Sequence, residues 1–208
     1  MSNHEFFTVE EMIAAYGSGY FPMAEPSGEI FWYNPHPRAI IPIESYKPAK
    51  SLKPVLNRQE FEIRINQQFR EVITACSLPR KDEELTWISP YLIELYCEMH
   101  EQGFAHSVES YKDGNLVGGL YGVCMNGVFF GESMFTKESN ASKVAFHYLI
   151  QILKENGFEL LDTQFMNDNV KRYGAIEISR SAYLKKLKSA LEKNCVFQLP
   201  EMSQISLI

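Results

Sequence analysis

The sequence lacks the short motifs that usually announce a chemistry. Its four cysteines (Cys76, Cys97, Cys124, Cys195) are far apart and form no C-x-x-C pair, which argues against a disulfide framework or a zinc site and fits reduced, mostly buried thiols. The histidines, His4, His36, His100, His106 and His147, have no metal-ligand spacing, and no cysteine or carboxylate cluster joins them. A G-x-S-x-G elbow, a Walker A loop and a G-x-G-x-x-G loop are all missing, so a serine hydrolase or a phosphate-cradling loop has little support. No apolar run approaches the roughly 20 residues that span a bilayer. Met1 to Glu11 carries three Glu and no basic residue, so no secretory signal is expected. The expectation is a soluble, cytoplasmic protein with no metal and no cofactor.

What the chain does have is apolar and aromatic material. Of 208 residues, 45% are hydrophobic and 13% aromatic, with 14 Phe, 11 Tyr and 2 Trp. That is ample for a core and excludes a disordered tail, a collagen-like repeat or a coiled coil. The net charge of −6 argues against non-specific nucleic-acid binding. The charge is segmented, however: residues 1–46 carry −5, residues 47–81 carry +5, residues 82–135 carry −8 and residues 136–208 carry +2. The basic segment could meet a polyanion, and an ordinary solvated surface is the alternative reading.

Thr8-Val9-Glu10-Glu11 is a capping box for a first helix that Gly17 stops. The prolines of Trp32-Tyr33-Asn34-Pro35-His36-Pro37-Arg38 force an extended path. Ala39 to Ile43 reads as a short edge strand because Pro42 cannot donate to a central ladder. Lys47 to Arg58 is a loop or short helix, Phe61 to Ile65 an alternating strand, and Asn66 the expected cap of a helix through Cys76. Ser89-Pro90 opens a further helix. Three strands follow (106–111, 115–125 and 128–135), separated by Asp113-Gly114 and Asn126-Gly127, both expected to be primed hairpin turns. Then come a helix over 140–155, a strand over 158–163, a short helix over 167–173, a strand over 175–178 and a helix over 181–192. A meander followed by β-α-β gives an α+β fold of acetyltransferase-like (GNAT-like) layout, a mainly antiparallel sheet flanked by helices. The expected division is a small N-terminal domain, residues 1–46 with a soft boundary at 45–60, and a catalytic domain, residues 47–208.

Three constellations could carry chemistry. The turn from Gly131-Glu132-Ser133-Met134-Phe135 through Ser139 into Asn140, Ser142 and Lys143 offers a helix N-terminus to an anion or oxyanion, with plain capping by Asn140 the alternative. It lacks the glycine-rich pyrophosphate loop of acyl-CoA-binding proteins with this layout. Asp162 and Gln164 share one face of a strand end, where a carboxylate can orient an amide that positions an amine. By residue type alone, bonding to the next turn is the commoner role. Glu132, alone among apolar neighbours, is either paired in the core or waiting for a cation. Trp87, in Leu85-Thr86-Trp87-Ile88-Ser89, sits where an indole lines a pocket or stacks.

Several stretches together resemble leucyl/phenylalanyl-tRNA–protein transferases: Gly19-Tyr20-Phe21-Pro22, Trp32 to Arg38, Thr86-Trp87-Ile88, Ala105 to Glu109, Leu116 to Gly122, Phe130 to Phe135, Asn140 to Lys143 and Asp162-Thr163-Gln164. The similarity runs from about Thr8 to Leu191. It implies transfer of Leu or Phe from aminoacyl-tRNA to proteins or peptides with N-terminal Arg or Lys, marking them for N-end-rule degradation, with no role for DNA or membrane. By matching motifs, Asp162, Gln164 and Glu132 would be catalytic, with Ser133 and Gly131 beside the ester. Trp87, Tyr96, Leu120, Met134, Phe146 and Leu149 would line the side-chain pocket, with Phe129 and Asn167 close to it. The tRNA would meet Lys47, Lys50, Lys53, Arg58 and Lys143. Met23 replaces the usual Trp after Phe-Pro, Tyr33, Asn34 and His36 replace Trp, Ser and Asp, and Thr163 replaces a Cys expected to face away and matter little. A leader of about 25–30 residues is expected to be missing. An acyl-CoA-dependent N-acetyltransferase, or a non-catalytic module binding tRNA or basic N-termini, are the competing functions.

Overall fold

A computed structural model describes residues 7–79 and 86–200; Leu85 and His4, named above, lie outside the described residues. In chain order the elements are α1 (Val9–Gly17), β1 (Phe21–Ala24), β2 (Ile30–Tyr33), β3 (Arg38–Ile41), α2 (Lys53–Asn57), β4 (Glu62–Ile65), α3 (Phe69–Cys76) and α4 (Pro90–Glu101). There follow β5 (Ala105–Lys112), β6 (Asn115–Met125), β7 (Val128–Thr136), α5 (Ala141–Glu155), β8 (Leu160–Gln164), α6 (Asp168–Arg172), β9 (Ile176–Ile178) and α7 (Arg180–Leu191). Strands β1 and β2 pair as a small hairpin, and the other seven form one sheet in the order β4-β5-β6-β7-β8-β3-β9. Every pairing is antiparallel except β7 with β8. This is the expected α+β layout, with α1, α3, α4 and α7 contributing to one core and α5 to the other. Among the described residues no helix is long and apolar enough to cross a membrane.

Local sequence accounts for most elements. Thr8 and Glu11 form the capping box of α1 in full. Ser89 caps α4, with Pro90 at its first position. Asp113 and Gly114 are both left-handed (φ 50° and 76°), the geometry of a type I′ turn.

Three expectations need correction. β3 is not an edge strand: it lies between β8 and β9, and it stops at Ile41, so the missing N–H of Pro42 falls outside the ladder. This strand belongs to the 1–46 segment by sequence, yet it is hydrogen-bonded inside the large sheet. The second hairpin keeps Asn126 left-handed (φ 52°) and Gly127 not, the φ pattern of a type II′ turn and so also a primed one, with the Gly127 N–H bonded to Ala190 O at 2.9 Å. Asn66 does not cap α3. Its side chain accepts from Ser107 N, and the N–H groups of Gln67 and Gln68 go to the buried Glu109 carboxylate on β5 at 3.0 and 2.9 Å, a cap supplied from a distant strand. Asn140 likewise makes no capping bond to α5; its side-chain oxygen accepts from Lys143 Nζ at 3.1 Å.

Two glycines of the Leu116 to Gly122 motif are required by close approach. A Cβ on Gly118 would lie 2.5 Å from Ala141 Cβ, against the start of α5. A Cβ on Gly122 would lie 2.3 Å from Phe130 O and 2.5 Å from the Phe129 ring. Gly122 sits opposite a β-bulge: Tyr121 pairs with Ser133 and Gly122 with Gly131, leaving Glu132 without a partner on β6. Gly122→Ala must push β7 away, at about 1–3 kcal/mol or more. Thermal unfolding should show a midpoint lowered by several degrees, and an unchanged midpoint would contradict the close packing.

Candidate active site

The bulge at Glu132 decides which way β7 faces. Strict alternation would put Phe130, Glu132 and Met134 on one face. Instead Phe130 and Phe135 pack in the core of α1, α3 and α4, whereas Met134 packs on the α5 side. The extra residue reverses the parity of the strand. Beyond the pairs Val128–Leu160, Phe129–Leu161 and Phe130–Asp162, β7 and β8 no longer pair, and the sheet splays open.

A cavity of about 470 Å³ occupies this gap and reaches both faces of the sheet. On the α5 side its wall is apolar: Leu120, Met134, Phe146, Leu149 and Leu161, backed by Tyr173. The Tyr173 ring packs tilted against Phe146 with centroids 4.1 Å apart, and its hydroxyl donates to Met134 Sδ at 3.8 Å. On the other side stand Met23, Trp87, Tyr121, Glu132 and Gln164. Phe165, which follows β8 and is 40% exposed, closes the wall and packs against Phe21 of the β1–β2 hairpin, ring centroids 5.5 Å apart.

Glu132 is the chemical centre of the cavity. Its Oε1 accepts from Tyr16 OH at 2.7 Å and from Gln164 Nε2 at 2.8 Å; its Oε2 has a longer contact, 3.3 Å, from Tyr96 OH. Burial pushes this carboxyl up to about 7, against the lowering effect of the hydroxyl and amide donors, and the nearby Asp162 charge adds to the rise. A carboxyl titrating there can take or give a proton at neutral pH.

Asp162 is in the opposite situation. It is fully buried, and Arg38 holds it bidentately, Nε to Oδ1 at 3.0 Å and Nη2 to Oδ2 at 2.7 Å. Tyr183 OH donates to Oδ2 at 2.7 Å and Gln164 N to Oδ1 at 2.8 Å. The Arg38 guanidinium is itself buried, between the Phe21 and Tyr183 rings at 4.9 and 4.5 Å, and donates to Gly19 O. Every lone-pair direction of Asp162 is thus in use. The bond to Gln164 N holds Gln164 in a left-handed conformation (φ 65°), uncommon for a residue with a Cβ, and this turns its amide onto Glu132.

Of the residues singled out from sequence, Trp87, Leu120, Gly131, Glu132, Ser133, Met134, Phe146, Leu149, Gln164 and Asn167 line the cavity. Trp87 does so on the Glu132 side, packed with the α1–α3–α4 core rather than with the apolar wall. Tyr96, Phe129 and Asp162 are buried behind the wall. Lys47, Lys50, Lys53, Arg58 and Lys143 are exposed and line no part of it. Nor do Ser139, Asn140 and Ser142, so the start of α5 is not brought to the cavity. Thr163 faces away from Asp162 as expected, yet it lines the cavity, because the splay opens on both faces. Sequence reasoning missed Arg38, Tyr16 and Tyr183. The only available signal was an arginine in a motif too apolar to solvate it.

Sequence comparison decides the family. The profile described as leucyl/phenylalanyl-tRNA protein transferase matches residues 40–188, and that of its N-terminal domain matches residues 7–36. The chain belongs to the leucyl/phenylalanyl-tRNA–protein transferase family. It is 47% identical over 190 residues to the leucyl/phenylalanyl-tRNA–protein transferase of Chlorobaculum parvum, covering 91% of this chain and 98% of that one. It is 46% identical over 192 residues to that of Gloeobacter violaceus, covering 92% and 97%. Among solved structures, L-PGS from Bacillus licheniformis aligns at 14% identity with a TM-score of 0.45, over 89% of this chain and 71% of that one. In this family member, Asp162→Ala would leave the Arg38 cation buried without its partner, costing about 3–5 kcal/mol. Urea unfolding should show it as a much lower midpoint, and a midpoint within error of the parent would contradict the pairing.

Proposed function

We propose that the chain transfers leucine or phenylalanine from aminoacyl-tRNA to the α-amine of proteins beginning with Arg or Lys, in the cytoplasm, and so marks them for N-end-rule degradation. The observation that carries this reading is the placement of Glu132 and Gln164, hydrogen-bonded to each other, at the polar side of a cavity whose other side is apolar. An aminoacyl ester is already activated, so the protein must chiefly bring amine and carbonyl together.

The transferred side chain enters the wall of Leu120, Met134, Phe146 and Leu149, and Trp87 and Phe165 face the terminal nucleoside. The acceptor's α-ammonium gives one proton to the Glu132 carboxylate, on Oε2, the oxygen with only one long contact. The freed amine attacks the ester carbonyl, forming the C–N bond. The C–O bond to the ribose then breaks, and the ribose oxygen leaves as a hydroxyl carrying the amine's second proton. Glu132 returns its proton to solvent. Gln164 holds Glu132 in place, and Asp162 acts through Gln164 as a positioning residue. The apolar wall separates side chains by only about 1–3 kcal/mol per methylene, so methionine should also be transferred.

The segment 47–58 supports the tRNA side of the reading. Leu52 and Val55 pack with Ala141 and Val144, which sets α2 against the first turn of α5, where Lys143 lies. These cations would meet phosphates.

Incubation with Phe-tRNA and a peptide starting with Arg should yield a Phe-Arg N-terminus by mass spectrometry, and no product with the charged tRNA intact would overturn the reading. Glu132→Gln should lower turnover by about 10²–10⁴-fold with tRNA affinity nearly unchanged. Replacing Lys47, Lys50, Lys53 and Arg58 together by Ala should flatten the dependence of log affinity on log salt, by about 0.7–0.9 per lost phosphate contact. An unchanged slope would rule out that surface.

A further inference from the structure

The carboxylate at the centre of the cavity is held from behind by a side chain of the first helix, and this has a functional consequence. Tyr16 is wholly buried, so it can touch neither substrate. Its hydroxyl reaches Glu132 Oε1 at 2.7 Å and Tyr96 OH at 2.6 Å. Each phenol has one proton to donate. If Tyr16 spends its proton on Glu132, Tyr96 must spend its own on Tyr16, and the 3.3 Å approach of Tyr96 to Oε2 is then the weaker share. The result is a directed chain, Tyr96 to Tyr16 to Glu132, crossing from α4 through α1 to β7.

The chain is rigidly mounted. The Tyr16 ring packs on Phe130, centroids 4.9 Å apart, and on the other side of Tyr96 the Tyr121 ring lies at 5.4 Å. The ionisable groups facing Glu132 are Tyr16 from α1, Tyr96 from α4, Tyr121 from β6, Asp162 from β8 and Arg38 from β3; Gln164 from β8 faces it as a neutral donor. The Arg38 charge is matched by Asp162 at 2.7 Å, and both phenols are held far above their ordinary range by burial, so they stay neutral. Among the described residues no Lys or Arg forms an ion pair with Glu132.

The geometry points to Tyr16 as a positioning residue that fixes the orientation of Glu132 and sets the pH at which Glu132 takes the acceptor's proton. The inference rests on the proposed reaction for its functional meaning. The N-terminal helix is thereby part of the catalytic unit. A hydroxyl donating to the ionised form favours that form, so removing it makes Glu132 hold its proton to higher pH. A base is active above its own titration range, so activity should be lost on the acid side.

The test is Tyr16→Phe, which removes one oxygen and keeps the ring. At saturating Phe-tRNA and acceptor, the acid limb of kcat against pH should move up by about half a unit to one unit. At pH 6 turnover should fall about 3–10-fold, while at pH 8 it stays within about twofold and the KM for Phe-tRNA is unchanged. Tyr96→Phe should move the limb the same way by less, and it serves if Tyr16→Phe does not fold. An equal loss at every pH, or a limb that does not move in either variant, would overturn the proposal. Infrared titration of the Glu132 carboxyl band, assigned with Glu132→Gln, reads the same shift without any substrate. A shifted band in a protein that transfers nothing would sink the transferase reading and leave the tyrosine effect standing; normal transfer with an unshifted band would do the reverse.

Discussion

The buried pair of Arg38 and Asp162 is the constraint on which the rest of the site depends. It ties β3, next to the sheet's far edge, to β8 beside the splay, and adds α7 through Tyr183 and the turn before β1 through Gly19 O. Two charges removed from water cost several kcal/mol each unless their remaining hydrogen-bonding capacity is met. Here it is met on both sides, by a phenol, a backbone N–H and a backbone carbonyl, with aromatic rings over the guanidinium. The pair therefore adds little stability compared with apolar residues of the same size. What it does is hold the Asp162 carboxylate that accepts from Gln164 N, at a left-handed residue (φ 65°) whose side-chain amide donates to Glu132. That is the pattern expected where local strain is kept for a functional purpose.

The carboxylates of Glu132 and Asp162 differ because their surroundings differ. Asp162 has a cation and a full set of donors. Glu132 has only neutral donors, and burial raises it to about 7. The roles proposed for them follow from this contrast in partners: the matched carboxylate would hold geometry and the unmatched one would move protons. The same bulge that leaves Glu132 without a strand partner also turns Met134 to the opposite face, so a single inserted residue builds both the polar and the apolar side of the cavity. Gly122 is what lets the bulge form, through contacts that leave no room for a Cβ.

Much of this was legible in the chain. The capping box of α1, the Ser89-Pro90 start of α4, the Asp113-Gly114 turn and the order of strands and helices all follow from local signals, whereas the site assignment of most of the ten named residues that line the cavity came from the family resemblance. What could not be read were long-range events. The Arg38–Asp162 bond joins residues 124 apart, and no local pattern marks it. β3 was misplaced at an edge because Pro42 lies one residue beyond the strand, and element ends are the least secure part of any pattern reading. The cap of α3 comes from Glu109 on another strand, so Asn66 carried a false signal. Thr163 was dismissed by correct alternation, which fails to anticipate a cavity that passes through the sheet. Tyr16 is a core residue, and only the partner of its hydroxyl, Glu132, makes it more.

The charge pattern that first argued against a polyanion has a physical resolution in this arrangement. A net negative protein can bind one only along a surface whose local field is reversed, and the basic 47–58 segment is set by α2 against the α5 side of the sheet. Glu132 instead faces the α1 and α4 side, inside the cavity. A carboxylate solvated only by phenol and amide dipoles still lacks a countercharge, and the strongest compensation open to it is a cation brought by the substrate. In the proposed reaction an acceptor arriving with a protonated α-amine would supply that cation, and handing over the proton would discharge both partners at once and leave a neutral amine beside the ester. The same desolvation that makes Glu132 a poor permanent anion makes it a suitable transient one.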